Sequence, residues 1–174
     1  MSSVLVAYAT KYGSTHEVAD AIAARVRARG LETEVRAAGE VDSLDGYDAV
    51  VFGGALYFFR LIRGGRRFLS RHRTALSKMP VAVFAMGPIE DTVEQYVGAR
   101  EHLDKSLKKN ESISPVAVTV FGGAFDPTGL RSPDANPATK NLPPVDLRDW
   151  KAIEAWADSL PEVLGLVGGR RGGR

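Results

Sequence analysis

Cysteine is absent from all 174 residues. That absence excludes disulfides, thiolate metal sites, iron–sulfur clusters and covalent chemistry at a thiol, so any redox role falls to a bound cofactor. No apolar run approaches the length of a membrane span, and Met1-Ser2-Ser3 lacks the basic run and apolar segment of a secretory signal. The expectation is a soluble, cytoplasmic protein with no stable membrane insertion. Two nucleotide-binding signatures are missing too: the chain has neither Gly-x-Gly-x-x-Gly for a dinucleotide nor Gly-x-x-x-x-Gly-Lys-Ser/Thr for a nucleoside triphosphate. Internal repeats are also lacking.

What is present suits one globular domain. The hydrophobic fraction is 44%, enough over this length for one sizeable core and short of two. A net charge of +2 and a pI near 9.0 say little about nucleic acid, and none is expected as a partner. The distribution is more telling. Arg60, Arg63, Arg66, Arg67, Arg71, Arg73 and Lys78 occur without one Asp or Glu among residues 60–78, and Arg170, Arg171 and Arg174 follow at the end. Such a segment is either a solvated helix face or a patch for an anionic partner.

Val4 to Ala9 is an apolar run ending in a polar turn, after which Val18, Ala19, Ile22, Ala23 and Val26 repeat at helical spacing. Gly30 stands where a helix end takes a left-handed residue, and Glu32 to Arg36 reads as a second strand. Ala49-Val50-Val51-Phe52 is a third strand, with Gly53-Gly54 predicted to break it and a helix to follow through Phe68 and Leu69. Val81 to Ala85 and Val116 to Phe121 supply strands four and five. A helix between them is marked by Val93, Val97, Leu103 and Leu107. The last helix carries Leu147, Trp150, Ile153, Trp156 and Leu160 and is expected to start after an Asp146 cap. Five βα units with continuously apolar strands predict a doubly wound five-stranded parallel sheet, order 2-1-3-4-5, with helices on both faces. The domain is expected over residues 1–164, with a disordered Gly/Arg tail over 165–174. Gly122 to Val145, rich in Pro, Gly, Asn and Asp, is long for a loop in a compact domain and is predicted to be functional or mobile.

Ligands of open parallel sheets sit beyond the carboxyl ends of the strands. The first such turn is Thr10-Lys11-Tyr12-Gly13-Ser14-Thr15, which brings three hydroxyls, a glycine and the free amides of a helix N-terminus together. Those amides and the helix dipole bind a phosphate without needing Lys or Arg, so Lys11 is available but not required. Ser14-Thr15-His16-Glu17 also fits a capping box, which every helix start can use. Capping alone does not call for Thr10, Gly13 and Thr15 together. His16 reads as a first-turn surface residue. A phosphoacceptor receiver domain shares the winding, but it needs an acidic cluster after strand one and an Asp ending strand three, where Thr10 and Gly53 stand.

The stretch Val6 to Thr15, continuing to Ala19 and Ile22, resembles the FMN-phosphate signature of the flavodoxin-like superfamily, and the resemblance runs through to Trp156. Within it the chain is most similar to flavodoxin-domain proteins related to menaquinone-dependent protoporphyrinogen oxidase. The resemblance implies FMN as cofactor, held at its phosphate by Thr10, Lys11, Tyr12, Gly13, Ser14 and Thr15. It implies a flavin ring bordered by Ala55, Leu56 and Tyr57 and by the Met86-Gly87-Pro88 turn. Tyr57 is the first choice for stacking on the ring and Phe58 the second, with core packing as the plainer role for Phe58 and Phe59. No aromatic occupies the loop after strand four, where flavodoxins often carry a Tyr, and Phe125 is a candidate to replace it. The implied roles are electron transfer, with a redox protein, a quinone or a small anionic substrate as partner, or protoporphyrinogen oxidation with Arg63, Arg66 or Arg67 on the substrate carboxylates. A flavin-free binding module is the remaining alternative. No catalytic acid or base stands out.

Overall fold

The computed structural model describes residues 1–167; of the predicted tail over 165–174, residues 168–174 lie outside them. The chain begins with β1 (Ser3–Ala9), α1 (Ser14–Ala28) and β2 (Glu32–Ala37). Gly30 is left-handed at φ 87°, as its place after the helix demands. A three-residue 3-10 turn (Ala38–Glu40), not a helix, then leads to β3 (Ala49–Tyr57), so one of the five expected βα units lacks its helix. Next come the two-residue β4 (Arg60–Leu61), α2 (Arg63–Arg71), α3 (Arg73–Leu76), β5 (Val81–Met86), α4 (Val93–Lys108) and β6 (Ala117–Phe121). A small hairpin of β7 (Ala124–Phe125) and β8 (Val145–Asp146) precedes α5 (Trp150–Val163).

The parallel strands run β2-β1-β3-β5-β6, the expected winding once β4, which pairs antiparallel with the end of β3, is set aside. Side chains alternate between faces. Val4, Val6 and Phe84 pack with Val18 and Ile22 of α1 and Ile153 and Leu160 of α5, whereas Leu5, Val50 and Phe52 pack with Phe68 and Leu69 of α2 and Leu103 of α4. Both faces of the central strands are dry, which is why these segments read as unbroken apolar runs.

Three sequence expectations are corrected. Gly53-Gly54 does not break β3, which continues to Tyr57: a Cβ on Gly53 would lie 2.0 Å from Phe84 Cζ, and one on Gly54 2.4 Å from Leu61 Cδ1. These glycines clear space for core side chains rather than turn the chain. On α4, Val93 and Val97 face outward (75% and 52% exposed) while Ala99, Leu103 and Ser106 are buried. Asp149, not Asp146, caps α5, its Oδ1 accepting from Ala152 N at 3.1 Å; Asp146 sits in β8 and holds Arg148, and Trp150 lies at the surface, 39% exposed, rather than in the core.

Candidate functional site

The loops singled out from sequence meet at the carboxyl edge of the sheet. Ala55 ends the part of β3 that pairs with β5, directly beside Met86, and Gly87 approaches so closely that a Cβ would stand 3.1 Å from Leu56 Cδ1. Gly123 N donates to Pro88 O at 2.6 Å, fastening the turn after β5 to the chain leaving β6. The Lys11 ammonium lies 5.5 Å from the centre of the Tyr57 ring and 5.7 Å from that of Tyr12, which joins the Thr10–Thr15 loop to the end of β3.

Within that loop, Thr10 Oγ1 accepts from Gly13 N at 2.9 Å, and Gly13 takes φ 97°, a backbone suited to glycine. Gly13 is the N-cap of α1 and no side chain caps the helix, so the Ser14–Glu17 capping box is not formed. Glu17 is instead paired with Arg148. The first helical bond runs from Glu17 N to Gly13 O, leaving the N–H groups of Ser14, Thr15 and His16 without intrahelical acceptors. Thr15 is wholly buried, and its hydroxyl oxygen has no hydrogen-bond partner. A buried hydroxyl left alone costs about 1–3 kcal/mol. A donor cluster with an orphaned hydroxyl suits an anion, and a phosphate monoester fits what the loop lacks. His16 stacks on Tyr8 (4.2 Å, 7° between planes) and meets Asp20 at 3.4 Å, a surface role.

Two contributors lie beyond the reach of motif reading. Asp134, in the long loop, is paired with Lys11 and accepts from the Tyr12 hydroxyl. Arg131 Nη2 donates to Lys11 O at 3.3 Å, and its guanidinium lies 5.6 Å from the centre of the Tyr12 ring. The segment from Gly122 to Val145 is thus fastened across the Thr10–Thr15 loop; its one advance sign was its unusual length. Hydrogen bonds from Lys11 and Tyr12 hold the Asp134 carboxyl below the ordinary carboxylate range. Burial, with the nearby Tyr12 and Asp134 adding to it, pushes the Tyr57 phenol up to about 12, so it stays neutral at physiological pH. Phe125 lines a cleft of about 530 Å³ with Tyr12, Ser14 and Arg148.

Phe58 and Phe59 are not core residues. They form the two-residue loop between β3 and β4, 83% and 78% exposed, with φ of 47° and 65°. The left-handed region costs a non-glycine residue about 1–2 kcal/mol. Beyond them, Arg63, Arg67 and Arg71 are exposed at four-residue spacing on α2. Only Arg71 among these three meets an acid within the described residues, Asp42 at 3.5 Å. Arg66 is drawn inward, its Nε donating to Leu61 O at 3.0 Å. No helix among the described residues is long and apolar enough to cross a membrane.

Comparison with known proteins agrees with this geometry. The chain is 22% identical over 123 residues to the protoporphyrinogen IX dehydrogenase [quinone] of Escherichia coli K12, spanning 70% of this chain and 68% of that one. Among solved structures it superposes on a flavodoxin from Pseudomonas aeruginosa, solved as a cysteine-to-serine mutant (TM-score 0.61, 15% identity, 94% of this chain and 99% of that one). It also superposes on the rubredoxin oxygen:oxidoreductase of Desulfovibrio gigas (TM-score 0.60, 14% identity), covering 94% of this chain and 36% of the larger protein. At such identities these superpositions speak for the fold alone. The model of the flavodoxin domain family matches residues 5–135, three-quarters of the sequence, and the chain therefore belongs to that family.

Proposed function

We propose that this protein binds FMN at the carboxyl edge of its sheet and acts as an electron carrier or a small flavin oxidoreductase. The observation that carries this reading is the Thr15 hydroxyl, buried and unpartnered beside the open N-terminus of α1. Thr10, Gly13, Ser14 and Thr15 would hold the phosphate, with Lys11 and Tyr12 beside them. Ala55, Leu56, Tyr57, Met86, Gly87 and Pro88 would border the ring, with Tyr57 as the aromatic against it. FMN supplies reversible electron transfer, and the protein's part is to bind, orient and tune it. Tyr57, neutral and half-buried, offers an uncharged face for a flat ring.

The test is the visible spectrum of the purified protein, with the chromophore released by denaturation identified. Bound FMN is expected. Replacing both Thr10 and Thr15 by Ala should weaken it by about a hundredfold or more, since hydrogen bonds to a charged group contribute about 1.5–3 kcal/mol each. Unchanged affinity in that double variant removes the phosphate assignment, and a colourless protein that takes up no FMN favours a flavin-free binding module.

A second reading rests on the α2 arginines. Arg63 and Arg67 are exposed cations with no acid in reach among the described residues, and guanidinium groups suit the carboxylates of a dianionic substrate such as protoporphyrinogen. Turnover of protoporphyrinogen with a quinone supports it; no turnover by the FMN-loaded protein dismisses it.

A further inference from the structure

The segment that crosses the Thr10–Thr15 loop is anchored at its base and shaped from within. Its two ends meet in the β7–β8 hairpin, where Ala124 pairs with Asp146 and Phe125 with Val145, and Leu147 N donates to Gly123 O at 2.9 Å. Gly122 lies so close on Leu147 that a Cβ would stand 2.3 Å from its carbonyl oxygen. Between these ends no residue from Pro127 to Leu142 is buried. Their order comes from local hydrogen bonds. Asn136 Oδ1 accepts from Ala138 N at 2.9 Å and from Thr139 N at 3.3 Å, Asn136 Nδ2 donates to Asp134 O at 3.2 Å, and the Thr139 hydroxyl donates to the same carbonyl. A surface loop closed on itself in this way, with its ends together, is able to move as one piece.

Its ties to the rest of the molecule converge on two residues. Among the described residues, every hydrogen bond and ion pair that leaves residues 127–142 for a point beyond the neighbouring Asp126 ends on Lys11 or Tyr12. Asp134 pairs with the Lys11 ammonium and accepts from the Tyr12 hydroxyl; Arg131 donates from its backbone N to the Tyr12 hydroxyl at 3.4 Å and from Nη2 to Lys11 O at 3.3 Å. The Asp134 side chain is only 14% exposed although Ser132, Pro133 and Ala135 around it are open, so the loop turns one carboxylate inward. The ammonium it holds lies 5.5 Å from the centre of the Tyr57 ring. The contact thus stands between the loop suited to a phosphate and the aromatic suited to a flavin ring. Releasing it exposes no buried residue of the segment, which sets its cost far below that of unfolding the sheet.

We propose that residues 127–142 form a hinged lid over the cofactor site, latched by Asp134 on Lys11 and Tyr12, and that FMN enters and leaves only when the latch opens. The β7–β8 hairpin is the fixed base, and the Asn136–Thr139 bonds keep the lid whole as it swings. This inference rests on the FMN reading for its cargo and adds a control over exchange; the lid itself is observable without flavin. A latch that closes alike with and without the cofactor sets the rates of uptake and release together and leaves the equilibrium between them unmoved.

Amide exchange of the full chain without added flavin should show residues 127–142 opening together, well ahead of β1 and α1. Asp134→Ala should speed that opening at least about tenfold and leave β1 and α1 as they are. Stopped-flow fluorescence then follows FMN uptake by the stripped chain and its release to a scavenging apoprotein. In Asp134→Ala both rates should rise at least about fivefold, with Kd held within about threefold. The lack of native cysteine permits the opposite change. In Lys11→Cys with Asp134→Cys, bridging the two thiols with a short bis-maleimide should slow uptake and release at least about tenfold against the same chain unbridged. The proposal is overturned if exchange of residues 127–142 is the same in Asp134→Ala as in the parent, or if bridging leaves both rates unaltered. Faster release alone in Asp134→Ala overturns it too, since Asp134 would then merely brace the phosphate loop. So does faster uptake alone with tighter binding, the behaviour of a rival anion at Lys11. A chain that takes up no FMN refutes the flavin reading alone, and the exchange experiment still decides the lid.

Discussion

In the proposed site, Thr15 would couple folding to binding at a single atom. Its hydroxyl is sealed from water without a partner, so an isosteric apolar residue should suit the ligand-free protein better than threonine does. Thr15→Val is therefore expected to stabilise the FMN-free chain by about 1 kcal/mol in urea unfolding, while weakening FMN by about tenfold or more. Loss of stability, or unaltered FMN affinity, would show that the hydroxyl is not reserved for the cofactor. This part of the candidate site was legible because six consecutive residues carry it. Phe58 and Phe59 were not, since whether an aromatic pair lies in the core or at a turn depends on where β4 returns to pair with β3. Gly53 and Gly54 misled for a related reason: composition marks a glycine, but only packing shows whether it turns the chain or makes way for Phe84 and Leu61.

The loop from Gly122 to Val145 is the element on which sequence reading was weakest. Its contacts with Lys11 and Tyr12 join residues more than a hundred positions apart, and no local pattern announces such a pairing. Because the Asp134 carboxyl titrates lower in the folded protein than in the unfolded chain, the stability it confers is complete above about pH 4, the unfolded value. It is lost as pH falls further, through the folded value. Amide exchange of residues 127–142 should accordingly be steady from pH 7 to about 5, after correction for intrinsic rates, and lose protection below about 4. In Asp134→Asn the protection should be weaker and insensitive to pH over that range. A pH response that survives the substitution would assign it to another group. The central strands, by contrast, were legible as runs, because burial on both faces leaves β1, β3 and β5 almost wholly apolar, although β3 continues past the two glycines expected to end it. On α4 the outward-facing valines broke the correspondence between apolar residues and the core.

At the scale of the molecule, the winding of the sheet was readable from the alternation of strands and helices, and the charge is unevenly distributed over the chain. Arg60, Arg63 and Arg67 stand exposed just beyond Tyr57, where acidic residues would oppose adding electrons to a bound flavin. The expected outcome is a midpoint potential less negative than that of an acidic flavodoxin, moved more negative by Arg63→Gln with Arg67→Gln, and less so at high salt. A redox titration in which the double variant matches the parent would remove these arginines from the account. The two open edges of the sheet complete the picture. β2 presents Glu32, Glu34 and Arg36, an ion pair among them, and at β6 the Arg100 guanidinium donates to the carbonyl of Val118 at 3.1 Å. Charge guards one margin and a side chain occupies a strand carbonyl at the other, so further strands are discouraged from adding on either side. Guarded in this way, the sheet offers a neighbouring molecule no free strand margin on which to extend itself.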